Sequence, residues 1–368
     1  MLSLLHASSA LVNTYPAKSI NLDAAEFTDG SFSFYEAHTL YQLGLEDPNA
    51  GYGATTTDGG YVVAGGALES ESSSNWEGFA VKFSSTGTYE WGWRSNHAGL
   101  DDFAISVAQI PGGGDVIVSG YRSTQGVHRR CLIKLRLSDG AEQWVATSFG
   151  DSAGSHGAFE IIDFTADGLT ALVGGFTHKP DTSEYAFRSG GNAPGGRGHV
   201  MALPVSSLTG SSAPTRAQMR WQRSFAPLET VHAVRGLPNG EVGVLLWSDG
   251  EGSYGRSASL AKLSATGAIE WGPLDYGITH GEGSDMQVSV DGSALVMTGH
   301  GECSDMLCGK LTKVAASDGS LLWSKAYASC NVPNECGTPH IKNECWGLQA
   351  LSDGYILACG TGIEDCEG

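Results

Sequence analysis

Histidine recurs in this chain at intervals that could matter chemically. The chain has 368 residues, 11 of them His. Six fall in polar stretches: His38 in "YEAHTLYQLGLEDPNAG", His97 in "RSNHAGLDD", His156 in "GDSAGSHGAFE", His232 in "LETVHAV", His280 in "YGITHGEGSD" and His340 in "CGTPHIKNEC". Carboxylates lie beside them, namely Asp101, Asp102, Glu160, Asp285 and Glu344. An imidazole near neutral pH can serve as a general base or bind a transition metal, and a nearby carboxylate can orient it. A residue that recurs this way can equally do one structural task at each recurrence, such as bonding a neighbouring carbonyl. That structural reading carries more weight for the set as a whole. His97, His156, His232 and His280 stand closest to an apolar stretch and are the candidate catalytic residues.

The elements that would position them come from a repeat. A Gly followed four residues later by an aromatic occurs at Gly30–Phe34, Gly87–Trp91, Gly140–Trp144, Gly267–Trp271 and Gly319–Trp323. A stretched copy joins Gly210 to Trp221. The period is about 50 residues. A second signature alternates with it: "TTTDGGYVVAGG", "IPGGGDVIVSG", "TADGLTALVGG", "LPNGEVGVLLW", "SVDGSALVMTG" and "LSDGYILACG". Each places a Gly-containing turn before a short apolar run, which is the pattern of strands joined by tight hairpins. Each unit therefore reads as four strands, A to D, as in "DFAISVAQI", "DVIVSGY", "CLIKLRL" and "EQWVATS". Four antiparallel strands per unit at this period describe a β-propeller blade. In strand C, Lys82, Lys134, Lys262 and Lys313 are expected to lay their stems along the neighbouring blade.

The expected fold is all-β: a six-bladed β-propeller of four-stranded antiparallel blades, forming one domain over 1–368. Its blades run roughly over 45–97, 98–150, 151–225, 226–276 and 277–328. The last combines 329–368 with 15–44, because the C-terminal unit has only strands A and B and "NLDAAEFTDGSFSF" reads as C and D. N-terminal strands completing the C-terminal blade would close the ring and remove exposed edges. The D–A and B–C connections then share one face. The histidines lie in the former. Arg122, His178 and His300 are assigned to the latter and, with Asp285, are the candidate substrate-binding residues.

The strand-C Lys, the Thr-Gly or Asp-Gly turn and the Trp resemble the quinoprotein-type (PQQ-like) propeller repeat, whose motif is close to A-x-D-x-x-T-G-x-x-x-W. The matches are Thr86, Gly87 and Trp91; Asp139, Gly140 and Trp144; Thr266, Gly267 and Trp271; and Asp318, Gly319 and Trp323. The resemblance implies that each Trp stacks on the next blade. The quinone-dependent members use eight blades and a vicinal Cys-Cys pair, and no Cys-Cys occurs here. The resemblance is thus to a non-quinone scaffold member. No cofactor is expected, except a divalent metal ion if the histidines converge.

Composition narrows the partners. With 21 basic and 40 acidic residues the net charge is −19, which repels phosphate backbones and argues against nucleic acid. There is no run of 18 apolar residues to span a membrane. "MLSLLHASSALVNTYPAKS" lacks a basic start and reads as ordinary N-terminal chain. Seven of the 8 cysteines, from Cys303 to Cys366, fall near the C-terminus without a C-x-x-C pair. That favours disulfides over zinc and an extracellular or secretory location. "GDSAGSHG" is not a nucleophile elbow, and "GGNAPGGRGH" reads as an exposed loop. The reading reached is a binding or scaffolding module for a protein or carbohydrate ligand on the loop face. The alternative is a hydrolase or lyase using His and carboxylate groups at the channel mouth. The oligomeric state is left open.

Overall fold

A computed structural model describes residues 46–68, 76–95, 101–149, 154–179, 196–228, 230–249, 256–279, 283–303, 306–327 and 341–363. Strands β1 (Glu46–Thr55), β2 (Tyr61–Leu68), β3 (Trp76–Phe83) and β4 (Tyr89–Arg94) form a four-stranded antiparallel sheet in chain order. The same order recurs in β5 (Asp102–Gln109), β6 (Asp115–Thr124), β7 (Val127–Arg136) and β8 (Glu142–Ala146). A third sheet has β9 (His156–Phe164), β10 (Thr170–Lys179), β11 (Arg197–Pro204) and β12 (Trp221–Ser224). The fourth has β13 (Thr230–Gly236), β14 (Val242–Asp249), β15 (Arg256–Leu263) and β16 (Ile269–Thr279). The fifth has β17 (Gly283–Val288), β18 (Ala294–Cys303), β19 (Met306–Ala315) and β20 (Leu321–Tyr327). An antiparallel pair, β21 (Ile341–Ala350) and β22 (Tyr355–Ile363), joins this sheet through one parallel bridge, Leu307 to Lys342. The N-terminal strands expected over 15–44 lie outside the described residues.

The turns explain why the strands stop where they do. Thr56 Oγ1 donates to Asp58 Oδ1 at 2.5 Å, and the same oxygen accepts from Gly60 N–H at 3.1 Å. Thr165 with Asp167, and Ser289 with Asp291, repeat the device at 2.6 Å each. A carboxylate accepting such bonds imitates a turn of backbone and fixes the reversal. The next residue, Gly59, Gly168 or Gly292, takes a positive φ that a side chain would resist.

The inner strands β1, β5, β9, β13, β17 and β21 pack against one another in series. The core lies between sheets rather than within one. Ile117, Leu132 and Trp144 of the second sheet pack with Phe159, Val173 and Met201 of the third. The strand-D tryptophans lock this packing. Trp91 Nε1 donates to Leu137 O at 2.7 Å, Trp221 to Ala265 O at 2.9 Å and Trp271 to Ala316 O at 3.0 Å, each on the following sheet. Trp144 reaches Gly210 O at 3.3 Å, just beyond the one-turn helix α1 (Ser206–Thr209) that the insertion forms. These docks are the ones that the repeat resemblance implied.

The lysines depart in part from expectation. Lys134 does reach the next sheet, donating to Thr209 O at 3.1 Å and Gly210 O at 3.2 Å. Lys82 and Lys262 turn instead to carboxylates of their own sheets: Asp58 at 2.8 Å and Glu90 for the first, Glu241 at 3.2 Å and Glu270 at 2.8 Å for the second. A buried ammonium needs paired charges, and these are the nearest. Burial pulls both lysines down, but the bonds outweigh it and both end above the usual lysine value.

Candidate functional site

The histidines do not assemble at one mouth. His156 opens β9 and is buried, with its Nδ1 accepting the backbone N–H of His128 at 3.1 Å. The two rings meet edge to face at 5.2 Å, and His128 Nε2 stands 3.9 Å from the Asp101 carboxylate. His232 is buried on β13, 6.1 Å from the Trp247 ring. His97 and His280 lie outside the described residues, as do His38 and His340. Among the described residues no three His, Cys, Asp or Glu groups are placed to hold a metal ion.

The four expected substrate-binding residues also differ from expectation, since all sit within strands rather than connections. Strand hairpins here are tight, so the B strands run on to the sheet ends. Arg122 is on β6 and donates from Nε to Asp102 Oδ2 at 3.0 Å. His178, on β10, has φ +65° and is half-buried. His300 is buried on β18, and Asp285 is buried on β17. Only Asp285 reaches a cavity of consequence.

That cavity is set by a device shared by the inner strands. Each of β5, β9, β13, β17 and β21 carries a one-residue bulge, at Ile105, Glu160, His232, Ser284 and Trp346 in turn. A bulge re-aims the residues that follow it. The residue three places on is Ala108, Asp163, Arg235, Gln287 or Gln349, and all five line a central cavity of about 480 Å³ together with Thr55 of β1. The cavity thus draws on all six inner strands. Exposed Thr55, Thr57 and Gly112 place its open end beside the A–B turns.

A polar belt circles this cavity. Arg235 donates to Asp285 Oδ1 at 2.7 Å and to Val234 O at 2.9 Å. Asp285 Oδ2 accepts Leu348 N–H at 3.0 Å, so one carboxylate ties β13, β17 and β21. Burial raises the Asp163 carboxyl above its ordinary value, against the opposing pull of Arg235 and of N–H bonds from Phe164 and Gly236. Gln109 accepts Thr57 N–H at 2.8 Å and donates to Thr57 Oγ1 at 3.1 Å, joining β5 to the first turn. Ile110, Phe164 and Leu357 supply apolar wall between these groups. Aligned acceptors and donors beside apolar surface can bind a small polar molecule through paired hydrogen bonds.

A second polar cluster lies between the second and third sheets. Arg130 Nη1 is 2.8 Å from His199 Nδ1, and the guanidinium also lies over the Phe159 ring at 5.0 Å. Burial, then the Arg130 charge, pushes His199 down to about 3, so it stays neutral. The Glu160 carboxyl has no hydrogen-bond partner among the described residues, and burial pushes it up to about 8.

Sequence reasoning missed Asp163, Arg235, Gln287 and Gln349. A signal exists: each lies five residues before the turn glycine, Gly168, Gly240, Gly292 and Gly354 respectively.

No protein-family model matches this chain, and no curated protein matches it. Among solved structures it is similar to the β-propeller domain of the Trilobed protease from Pyrococcus furiosus, at 10% identity over 87% of this chain and 82% of that one, TM-score 0.43. It is similar to BamB from Moraxella catarrhalis at 10% identity over 85% of each chain, TM-score 0.40. It is also similar to the quinohemoprotein alcohol dehydrogenase ADHIIG from Pseudomonas putida HK5, at 10% identity over 81% of this chain and 61% of that one, TM-score 0.40. Likeness of this order transmits no function.

Proposed function

We propose that the protein is a binding module that takes the end of a neutral glycan into its central cavity. The observation that carries this is the ring of Asp163, Arg235, Gln287 and Gln349 at one register around a cavity of about 480 Å³. Planar amide, carboxylate and guanidinium groups bond neighbouring hydroxyls in pairs, and the apolar wall suits sugar C–H faces. A net charge of −19 disfavours anionic ligands. The reading takes the molecule as a six-bladed ring, a single domain whose last blade is completed by residues 15–44. It also places the protein outside the cell or in the secretory pathway, on the support of the Cys345–Cys359 disulfide and a disulfide-bonded Cys308. The test is calorimetry with a panel of neutral methyl glycosides and oligosaccharides. Binding that weakens at least about tenfold in Gln349→Leu supports the reading, since that is the scale of one lost hydrogen bond to a ligand. A panel with no binder contradicts it.

One observation favours a second reading, a glycan hydrolase or lyase. Asp163 is raised by burial while Asp285 is held by Arg235. Two carboxyl groups in unlike surroundings are the arrangement of an acid and its partner base. Turnover of a bound glycan that falls in Asp163→Asn with unchanged affinity would establish this reading over the first.

A further inference from the structure

Two docking places of the repeat flank the same gap in the ring. In three sheets a tryptophan covers the turn glycine of the next. A Cβ added at Gly140 would stand 2.5 Å from Trp91, at Gly267 2.6 Å from Trp221, and at Gly319 2.8 Å from Trp271. Gly87 has the same positive φ, +82°, yet among the described residues only Tyr61 Oη comes within 4 Å, at 3.8 Å. At the other side, Trp323 of β20 is half-exposed. It lines a crevice of about 460 Å³ with Leu311, Lys325, Tyr327, Tyr355 and Leu357.

The surfaces beside the crevice are apolar and lack a ladder partner. Leu321 is 55% exposed and Leu322 52% on β20. Leu322 precedes Trp323 as Glu90 precedes Trp91 and Glu270 precedes Trp271, so a leucine stands where those sheets put a solvent-facing acid. Strands β2, β6, β10, β14 and β18 each have two ladder partners, whereas β22 has one among the described residues. An open edge beside exposed leucines is a site for another strand.

We infer that residues 17–42 of this same chain occupy the gap, with Gly30 under Trp323 and Phe34 over Gly87. The segment is tethered at the right place, since β1 begins at Glu46 beside the gap. It carries the repeat spacing, Gly30 to Phe34, that places Gly140 before Trp144. It is long enough for two strands and a turn. The segment is then a seal with two specific contacts, one to the last complete blade and one to the first. This rests on the six-bladed reading above. Glycan binding is measured separately, so failure here leaves the cavity result standing.

The test is hydrogen exchange by mass spectrometry on the full chain, with Phe34→Ala and Trp323→Ala beside the wild type. The expected result is that amides of 19–36 exchange roughly 100-fold or more slowly than in a free peptide, at every protein concentration. Each variant speeds exchange in 19–36 and in Tyr355–Ile363 by at least about tenfold, while β5 to β12 are unchanged. Free-peptide rates over 19–36 in the wild type would overturn the inference. So would protection that vanishes on dilution together with a dimer, because a second copy would then fill the gap. Because the wild-type rates decide the matter, a variant that fails to fold does not remove the test.

Discussion

Trp91 crosses from one sheet to the next, its Nε1 bonded to Leu137 O at 2.7 Å and its ring lying against Gly140. The pairing shows how a repeat written in sequence becomes a joint in space. The glycine is needed twice, for its φ of +70° and for the room that the indole takes. Trp91→Ala should cost about 3–5 kcal/mol, the usual cost of emptying a buried aromatic site. Gly140→Ala should also destabilise, by about 1–3 kcal/mol. Urea unfolding of both single variants and the double variant checks this. The double variant should lose less than the sum, because both changes break one joint.

Glu160 gives the fold a pH dependence on its alkaline side. Its ordinary value is 4.5 and burial moves it to about 8. The folded state therefore holds the proton more tightly than the unfolded chain. That contribution is complete below pH 4.5 and is lost as pH rises through about 8. Glu160→Gln should match the wild type at low pH and exceed it at high pH, by a few degrees in melting temperature. Thermal melts across this range test it, and parallel curves would contradict it.

Asp58 acts in the opposite direction. Burial alone would raise it, but bonds to Lys82, Thr56 and Gly60 bring it from 3.8 to about 2. Its contribution is present above pH 3.8 and is lost as pH falls through about 2. Because Asp58 is about half exposed, the effect is modest, on the order of 1 kcal/mol. Asp58→Asn should show its deficit at neutral pH and none near pH 1.5, read by denaturant titration at both values.

The thiols report the compartment. Cys345 and Cys359 bridge β21 and β22 over a separation of 14 residues. Removing the bridge by Cys345→Ser with Cys359→Ser should cost about 2–4 kcal/mol. Cys131 is buried and raised by that burial, so it should resist alkylation until the protein unfolds. Peptide mapping of unreduced native protein checks both, and fully reduced cysteines would contradict the secreted assignment.

The sheets were legible because Gly–aromatic and Asp–Gly spacings encode turns and interblade joints directly. The partners of Lys82 and Lys262 were less so, since alternation gives a face but not the nearest carboxylate. The axial residues were hidden for a physical reason. One extra residue at Glu160 or His232 reverses the parity of the strand beyond it. Alternation read from the strand start therefore assigns Asp163 and Arg235 to the wrong side. Counting back from the turn avoids the bulge and brings the polar register into line. The histidines drew attention by recurrence, but His156 and His232 are buried against His128 and Trp247 rather than gathered.

The central claim is that ligand enters the axial cavity. Photo-crosslinking with a diazirine-bearing form of the tightest-binding neutral glycan, followed by peptide mapping, tests it most directly. Labelling should fall on peptides that contain Gln287, Gln349 or Thr55, and excess unmodified glycan should suppress it. Labelling confined to the connections around residues 96–100 and 280–282, with the inner strands clean, would contradict the account.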